Sequence, residues 1–272
     1  MCRDHHSFEI EDGNVKKSDG LSNIPEANLR RLSDYETLTS RILSLVTKDT
    51  QFKCVPKLDR VLSENPRLIV VFSHSAPLSW IPAPCLLTAH VVARGGGRRR
   101  PIAVMDRFFY SVPGLRAVAK YVAQSDRPLS FKELVEHFEQ LKTADLVVFP
   151  EGSNCFFGDP SELQPFRSHR FVEIGIRTKT PLLLCVHRGS EKWGKSWKLP
   201  MVLAASVGSL FGSNGLSRLA STRRLTIPLW PAKMDRFSML CELYQPEGDP
   251  VAESETVHSR MQEMLRELDA SS

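Results

Sequence analysis

The chain has 272 residues, 42% of them hydrophobic and 25% charged, which fits one large globular domain or a domain with a helical preface. The net charge of +5 is too mild to demand nucleic acid, and no uninterrupted run of about 18 apolar residues is present to span a bilayer. No secretory signal is read in the first residues and no C-x-x-C pair joins the six cysteines, so a reduced, cytoplasmic setting is expected, with cysteines serving as small core residues.

Residues 1–22 are polar, charged and without period, the composition of a mobile tail. The His5-His6 pair there has no partners, so no metal site is expected. From Pro25 to Thr47 the apolar residues Leu29, Leu32, Tyr35, Leu38, Ile42 and Leu45 recur every three or four positions. That spacing predicts an amphipathic helix and sets residues 23–50 apart as a preface to an α/β domain over 51–268. Such a helix either covers the sheet or lies on a membrane, a role that Arg30, Arg31 and Arg41 would assist.

Leu68–Phe72 reads as a buried strand ending in Ser73-His74-Ser75, followed by a loop and a short helix over Ala76–His90. The GGGRRR stretch Gly95–Arg100 is a turn whose arginines are either solvated or placed against phosphate headgroups, and Pro101–Met105 is a strand. Val112–Val122 predicts a helix. Leu129–Leu141 predicts another, capped by Ser130 with Glu133 completing a capping box. The apolar run Leu146–Phe149 is stopped by Pro150, which delivers Glu151 and Gly152 to a strand's carboxyl end, where open α/β sheets gather ligands. Phe171–Arg177 follows as a helix, Pro181–Val186 as a buried strand, Arg236–Tyr244 as a late strand and Glu253–Leu268 as a closing helix. Leu199–Leu219, apolar and glycine-containing, carries no clear assignment. The alternation implies an α/β fold with a mostly parallel central sheet covered by helices.

Gly189–Ser196 (GSEKWGKS) matches the phosphate-loop pattern G-x-x-x-x-G-K-[ST] after a predicted strand. Pro200 falls inside the helix such a loop must open, Glu191 and Trp193 suit phosphate poorly, and no later apolar strand ends in an aspartate for magnesium. The expectation is a surface turn.

Two apolar strands thus end in residues that do acid–base chemistry, His74 and Glu151. A histidine near its ordinary pKa can take the proton of an alcohol as that alcohol attacks a thioester. FPEG at Phe149–Gly152, His74 upstream and Asp126-Arg127 between them resemble, in order and spacing, the sequence blocks of the glycerolipid acyltransferase family, which contains the 1-acylglycerol-3-phosphate acyltransferases. The strand at Pro181–Val186 and Pro246-Glu247-Gly248-Asp249-Pro250 before the last helix resemble its later blocks, so the likeness covers about Leu68 to Leu268.

The resemblance implies transfer of a fatty acyl group from acyl-CoA or acyl carrier protein to the hydroxyl of a lysophospholipid or related lipid, with no cofactor and with peripheral membrane contact. It makes His74 the general base, lets Glu151 and Gly152 shape the acceptor pocket, and gives Arg127 to a phosphate or headgroup. Two departures follow. Ser79 stands where the family has the aspartate of H-x-x-x-x-D, so the ring is expected to have a hydroxyl partner at best and no counter-charge. Ser153-Asn154-Cys155 replaces the usual threonine, arginine and serine; Asn154 cannot clamp phosphate as arginine does, and Arg167 and Arg170 stand close downstream to supply the charge. Two other readings stay open, a catalytically silent relative that binds lipid or acyl chains, and an unrelated α/β protein.

Overall fold

The computed structural model describes residues 26–209 and 212–270; the 1–22 stretch with His5-His6 lies outside them. Where one helix is expected in the preface, two short 3-10 turns, Glu26–Asn28 and Leu32–Tyr35, precede α1 (Glu36–Val46). The break has a local cause. The Arg31 N–H donates to the Asp34 carboxylate at 2.8 Å and the Leu32 N–H to the Arg99 carbonyl at 2.7 Å, so both are drawn out of a helical ladder. Of the six residues of that spacing, Leu29 and Tyr35 are buried, Leu32 and Ile42 half-buried, and Leu38 and Leu45 exposed; Leu43, outside the spacing, is the buried leucine of α1.

The chain continues through β1 (Thr47–Val55), α2 (Leu58–Glu64), β2 (Ile69–Phe72) and α3 (Pro82–Ala93). Then come β3 (Arg100–Ala103), α4 (Arg107–Ser111), α5 (Pro113–Ala123), α6 (Phe131–Gln140) and β4 (Ala144–Val148). α6 has the expected capping box: Ser130 Oγ accepts the Glu133 N–H at 3.3 Å and the Glu133 carboxylate accepts the Ser130 N–H at 2.8 Å. The last part holds α7 (Arg170–Thr178), β5 (Leu182–Arg188), β6 (Gly194–Lys198), α8 (Met201–Ser209), α9 (Gly212–Thr222), β7 (Arg224–Pro228), β8 (Met234–Tyr244) and α10 (Pro250–Ala270). The unassigned stretch Leu199–Leu219 therefore falls largely in α8 and α9.

The main sheet has the order β1-β8-β5-β2-β4-β3. All neighbours are parallel except β5 and β8, so this is an α/β fold with a mixed, mostly parallel sheet flanked by helices. Both faces are covered. Ile69 and Val71 join Leu146, Leu184, Phe138 and Met261 in one core, whereas Val70 and Phe72 join Cys185, Leu86, Val91 and Leu43 in the other. The period of two in β2 thus feeds two apolar layers, which is why it reads as an unbroken apolar run. β1 escapes such reading because it is an edge strand whose Lys48, Asp49, Thr50 and Gln51 are exposed.

Two local expectations are corrected. Arg99 of the GGGRRR turn is neither solvated nor free for a headgroup, because its guanidinium makes two 2.6 Å bonds to the buried Asp145 carboxylate and a third to the Asn65 carbonyl at 2.9 Å. The segment Gly189–Ser196 does not open a helix: a 3-10 turn at Ser190–Trp193 runs into β6, which carries Lys195 and Ser196. Nor is it a surface turn, since Ser190 and Trp193 are buried and Trp193 Nε1 donates to the Ala232 carbonyl at 2.8 Å. Among the described residues no helix is long and apolar enough to cross a membrane.

Candidate active site

Strand register brings the site together. Val71 of β2 lies opposite Val148 of β4, and Phe72 opposite Cys185 of β5, all parallel. The residues just beyond these pairs therefore leave the sheet side by side at its carboxyl end: His74 after β2, Glu151 after β4, and His187 near the end of β5.

Glu151 is fully buried. Its carboxylate accepts the backbone N–H groups of His74 and of Gln164, the latter at 3.3 Å on Oε1, while Oε2 has no partner among the described residues. Burial pushes its pKa up to about 8, against the downward pull of the two N–H groups, so the carboxyl is largely protonated at neutral pH. His74 retains some exposure as a residue, but its Nδ1 atom is buried and has no partner among the described residues. Its Nε2 faces the Pro77 carbonyl at 3.5 Å, a long contact. A carbonyl only accepts, so this contact places the proton of the neutral ring on Nε2 and the free lone pair on Nδ1. Burial lowers the imidazole pKa to about 4. The ring meets Phe149 edge-on at 5.7 Å, and Phe149 stacks on Phe72 at 5.4 Å and meets Trp80 at 5.7 Å, forming an apolar wall.

Ser79 is buried but makes none of its described hydrogen bonds to the His74 ring. Its hydroxyl donates to the Ala76 carbonyl and accepts the Ala76 N–H, both at 2.9 Å, with the Ser75 hydroxyl at 3.3 Å. A short hydroxyl is captured by the turn it sits in, where an aspartate would reach further.

Another histidine at these strand ends, the buried His187, escapes sequence reading. His187 Nε2–H donates to the Ser73 carbonyl at 3.0 Å, and Nδ1 lies 3.2 Å from Ser190 Oγ, which donates to the Ser79 carbonyl at 2.8 Å. This chain ties the end of β5 to both ends of the His74 loop. Burial lowers the His187 pKa to about 4. The available signal was the extension of Pro181–Val186 by one further position of the same strand.

After Glu151 a 3-10 turn spans Gly152–Phe156. Gly152 has φ +49°, and an added Cβ would stand 3.0 Å from Arg167 Cδ, so glycine lets Arg167 lie across the turn. The Arg167 guanidinium reaches Asp106 at 3.5 Å, and the Arg167 backbone N–H donates to the Pro150 carbonyl at 2.8 Å. Asn154 is buried and its Nδ2 donates to the Pro165 carbonyl at 2.8 Å, fixing the segment that carries Arg167; Ser153 is half-buried. Arg127 makes a paired contact with Glu133, at 2.5 and 3.1 Å, and Arg170 lies over Phe131 at 5.2 Å, both on α6. Of the three arginines, Arg167 is the one whose described contacts reach the Glu151–Gly152 turn.

The strand ends bring the His74 imidazole and the buried Glu151 carboxyl next to each other beside an apolar wall, with the Arg167 side chain across the Gly152 turn. Among the described residues no group of His, Cys, Asp and Glu is placed to hold a metal ion. Compared with known proteins, the chain matches no family model and no curated sequence.

Proposed function

We propose that this protein is an acyltransferase that moves a fatty acyl group from acyl-CoA or acyl carrier protein to the hydroxyl of a lysophospholipid or related lipid acceptor. The observation that carries the reading is the juxtaposition, at adjacent parallel strand ends, of His74 and Glu151, each with one buried side-chain polar atom that has no partner among the described residues. A buried unpaired polar atom costs about 1–3 kcal/mol, so its retention is a mark of a site that a ligand completes. His74 Nδ1 takes the acceptor's proton as its oxygen attacks the thioester carbonyl. The new C–O bond forms, the C–S bond breaks, and the leaving thiolate takes the proton back from the imidazolium. The largely protonated Glu151 offers an O–H from Oε2 to the acceptor, and Arg167 supplies the positive charge that Asn154 lacks.

The test is transfer of labelled acyl groups from acyl-CoA and acyl carrier protein to a panel of lysophospholipids and non-phosphorylated acceptors, with His74→Ala alongside. Product is expected with the native chain and a loss of about 10²–10⁴-fold in the variant. Transfer that persists in the variant sinks the assignment of the base. A second reading, a lipid- or acyl-binding homologue without turnover, is favoured by one observation: among the described residues no carboxylate bonds the His74 ring, and the Ser79 hydroxyl is engaged by Ala76. Binding of acyl donor or lysolipid with no product from any acceptor selects it.

A further inference from the structure

Between β5 and β8 the chain makes an excursion outside the main sheet, the β6–β7 ribbon and the α8–α9 pair. Residues 194–233 contain no aspartate or glutamate, in a chain whose basic and acidic residues number 36 and 31. They contain six cations, Lys195, Lys198, Arg218, Arg223, Arg224 and Lys233. Among the described residues only Arg224 of these has a carboxylate partner, Asp159 at 2.8 Å.

The same segment holds more than half of the large apolar side chains that are exposed among the described residues. Trp230 is 92% exposed, Val202 77%, Met201 72% and Trp197 49%. The ribbon's register explains part of this. Ser196 and Thr226 turn inward, both hydroxyls donating to the Gly158 carbonyl at 3.0 and 2.7 Å, and alternation places Lys195, Trp197 and Ile227 on the outer face. Lys195 Nζ stands 4.5 Å over the Trp197 ring. Ala204 and Leu219 of the excursion pack with Phe157 in a small core that its exposed groups do not join.

We infer that the exposed side chains of 194–204 and 215–233 form the face with which this protein docks on an anionic lipid bilayer. Trp197, Trp230 and the first turn of α8 enter the interfacial region, and the surrounding cations meet lipid phosphate. A segment that exposes large apolar groups and carries six cations with no acid of its own is mismatched to water and to a neutral partner, and matched to a bilayer carrying negative headgroups. Tryptophan, apolar in body with one polar N–H, is the side chain that settles at that depth. The location suits a lipid acceptor, and here the inference rests on the proposed function. The start of β6 lies so close to the His74 loop that a Cβ on Gly194 would come within 2.6 Å of the Ala76 Cβ, and Phe157 directly follows the Gly152–Phe156 turn.

The test uses the full chain and extruded vesicles of phosphatidylcholine, with and without phosphatidylglycerol, and no acyl donor. Co-sedimentation is expected with the anionic vesicles and to weaken as salt is raised. Brominated lipids are expected to quench the intrinsic fluorescence, because of the four tryptophans Trp193 is buried and Trp80 half-buried, leaving Trp197 and Trp230 for the lipid. A Val202→Glu/Trp230→Ser double variant, changed only at exposed positions, is expected to keep its urea midpoint and to bind at least about tenfold more weakly, the equivalent of roughly 1.4 kcal/mol. Unchanged vesicle binding by that variant overturns the inference. So does a native chain that ignores vesicles and instead forms a dimer that the variant abolishes. His74→Ala is expected to bind vesicles as the native chain does. Acyl transfer to a detergent-dispersed acceptor without vesicle binding would remove the docking face and leave the enzyme; vesicle binding without any transfer would do the reverse.

Discussion

Replacing Glu151 by glutamine removes one ionisable group and almost no volume, so it isolates what a buried carboxyl does to this fold. Burial carries the Glu151 pKa from an ordinary 4.5 to about 8. Below pH 4.5 the group is neutral in both folded and unfolded chains and has no pH-linked effect. Between 4.5 and 8 the unfolded chain gives up the proton while the folded one keeps it, so stability falls as pH rises and the loss is complete above the folded value. At roughly 1.4 kcal/mol for each pH unit the upper bound on that loss is about 5 kcal/mol. His74 and His187 act with the opposite sign, their depressed values making stability fall as pH drops from 6.5 toward 4. Both histidines remain in the variant, so their contributions cancel when it is compared with the native chain. Any fixed cost of a glutamine amide in place of the carboxyl is independent of pH and cancels in the slope. Urea unfolding at several pH values from 5 to 8 measures the difference. The Gln variant is expected to gain on the native protein steadily across that range, by several kcal/mol in all. A difference that stays flat with pH refutes the reasoning, and means that the folded protein holds Glu151 as an anion.

Two further substitutions test the supporting structure. Arg99→Ala leaves the Asp145 carboxylate buried with only the Leu68 N–H for a partner, and is expected to cost about 3–5 kcal/mol; pairing it with Asp145→Leu is expected to recover much of that, and a single variant with native stability would show the pair to be unimportant. Ser190→Ala removes the donor to the Ser79 carbonyl and the hydroxyl beside His187 Nδ1, for an expected loss of about 1–3 kcal/mol in urea unfolding, whereas an unchanged midpoint would rule out the bridge between β5 and the His74 loop.

What the sequence determined by itself was local or periodic. The apolar runs of β2, β4 and β5, each bounded by turn residues, specify buried strands with functional groups at their ends, and Ser130 with Glu133 specifies the start of α6 within four residues. His74 and Glu151 were legible for that reason, since each directly follows an apolar run, and parallel register then sets them side by side. Tertiary structure decided whatever depended on partners far along the chain. β1 is polar on its exposed positions and exists because β8 offers it a ladder, and β8 runs against β5 for reasons that its own apolar pattern does not contain. The Arg99 guanidinium reads as a loop charge until Asp145 is placed beside it 46 residues later. Ser79 looks like a partner for the His74 ring until its own turn takes the hydroxyl, and His187 becomes part of the site only because β5 lies next to β2. A pattern of residues fixes which face is apolar over a turn or a strand; which groups meet across the sheet is set by loop closure and packing among strands distant in the chain, and that information resides in the whole fold.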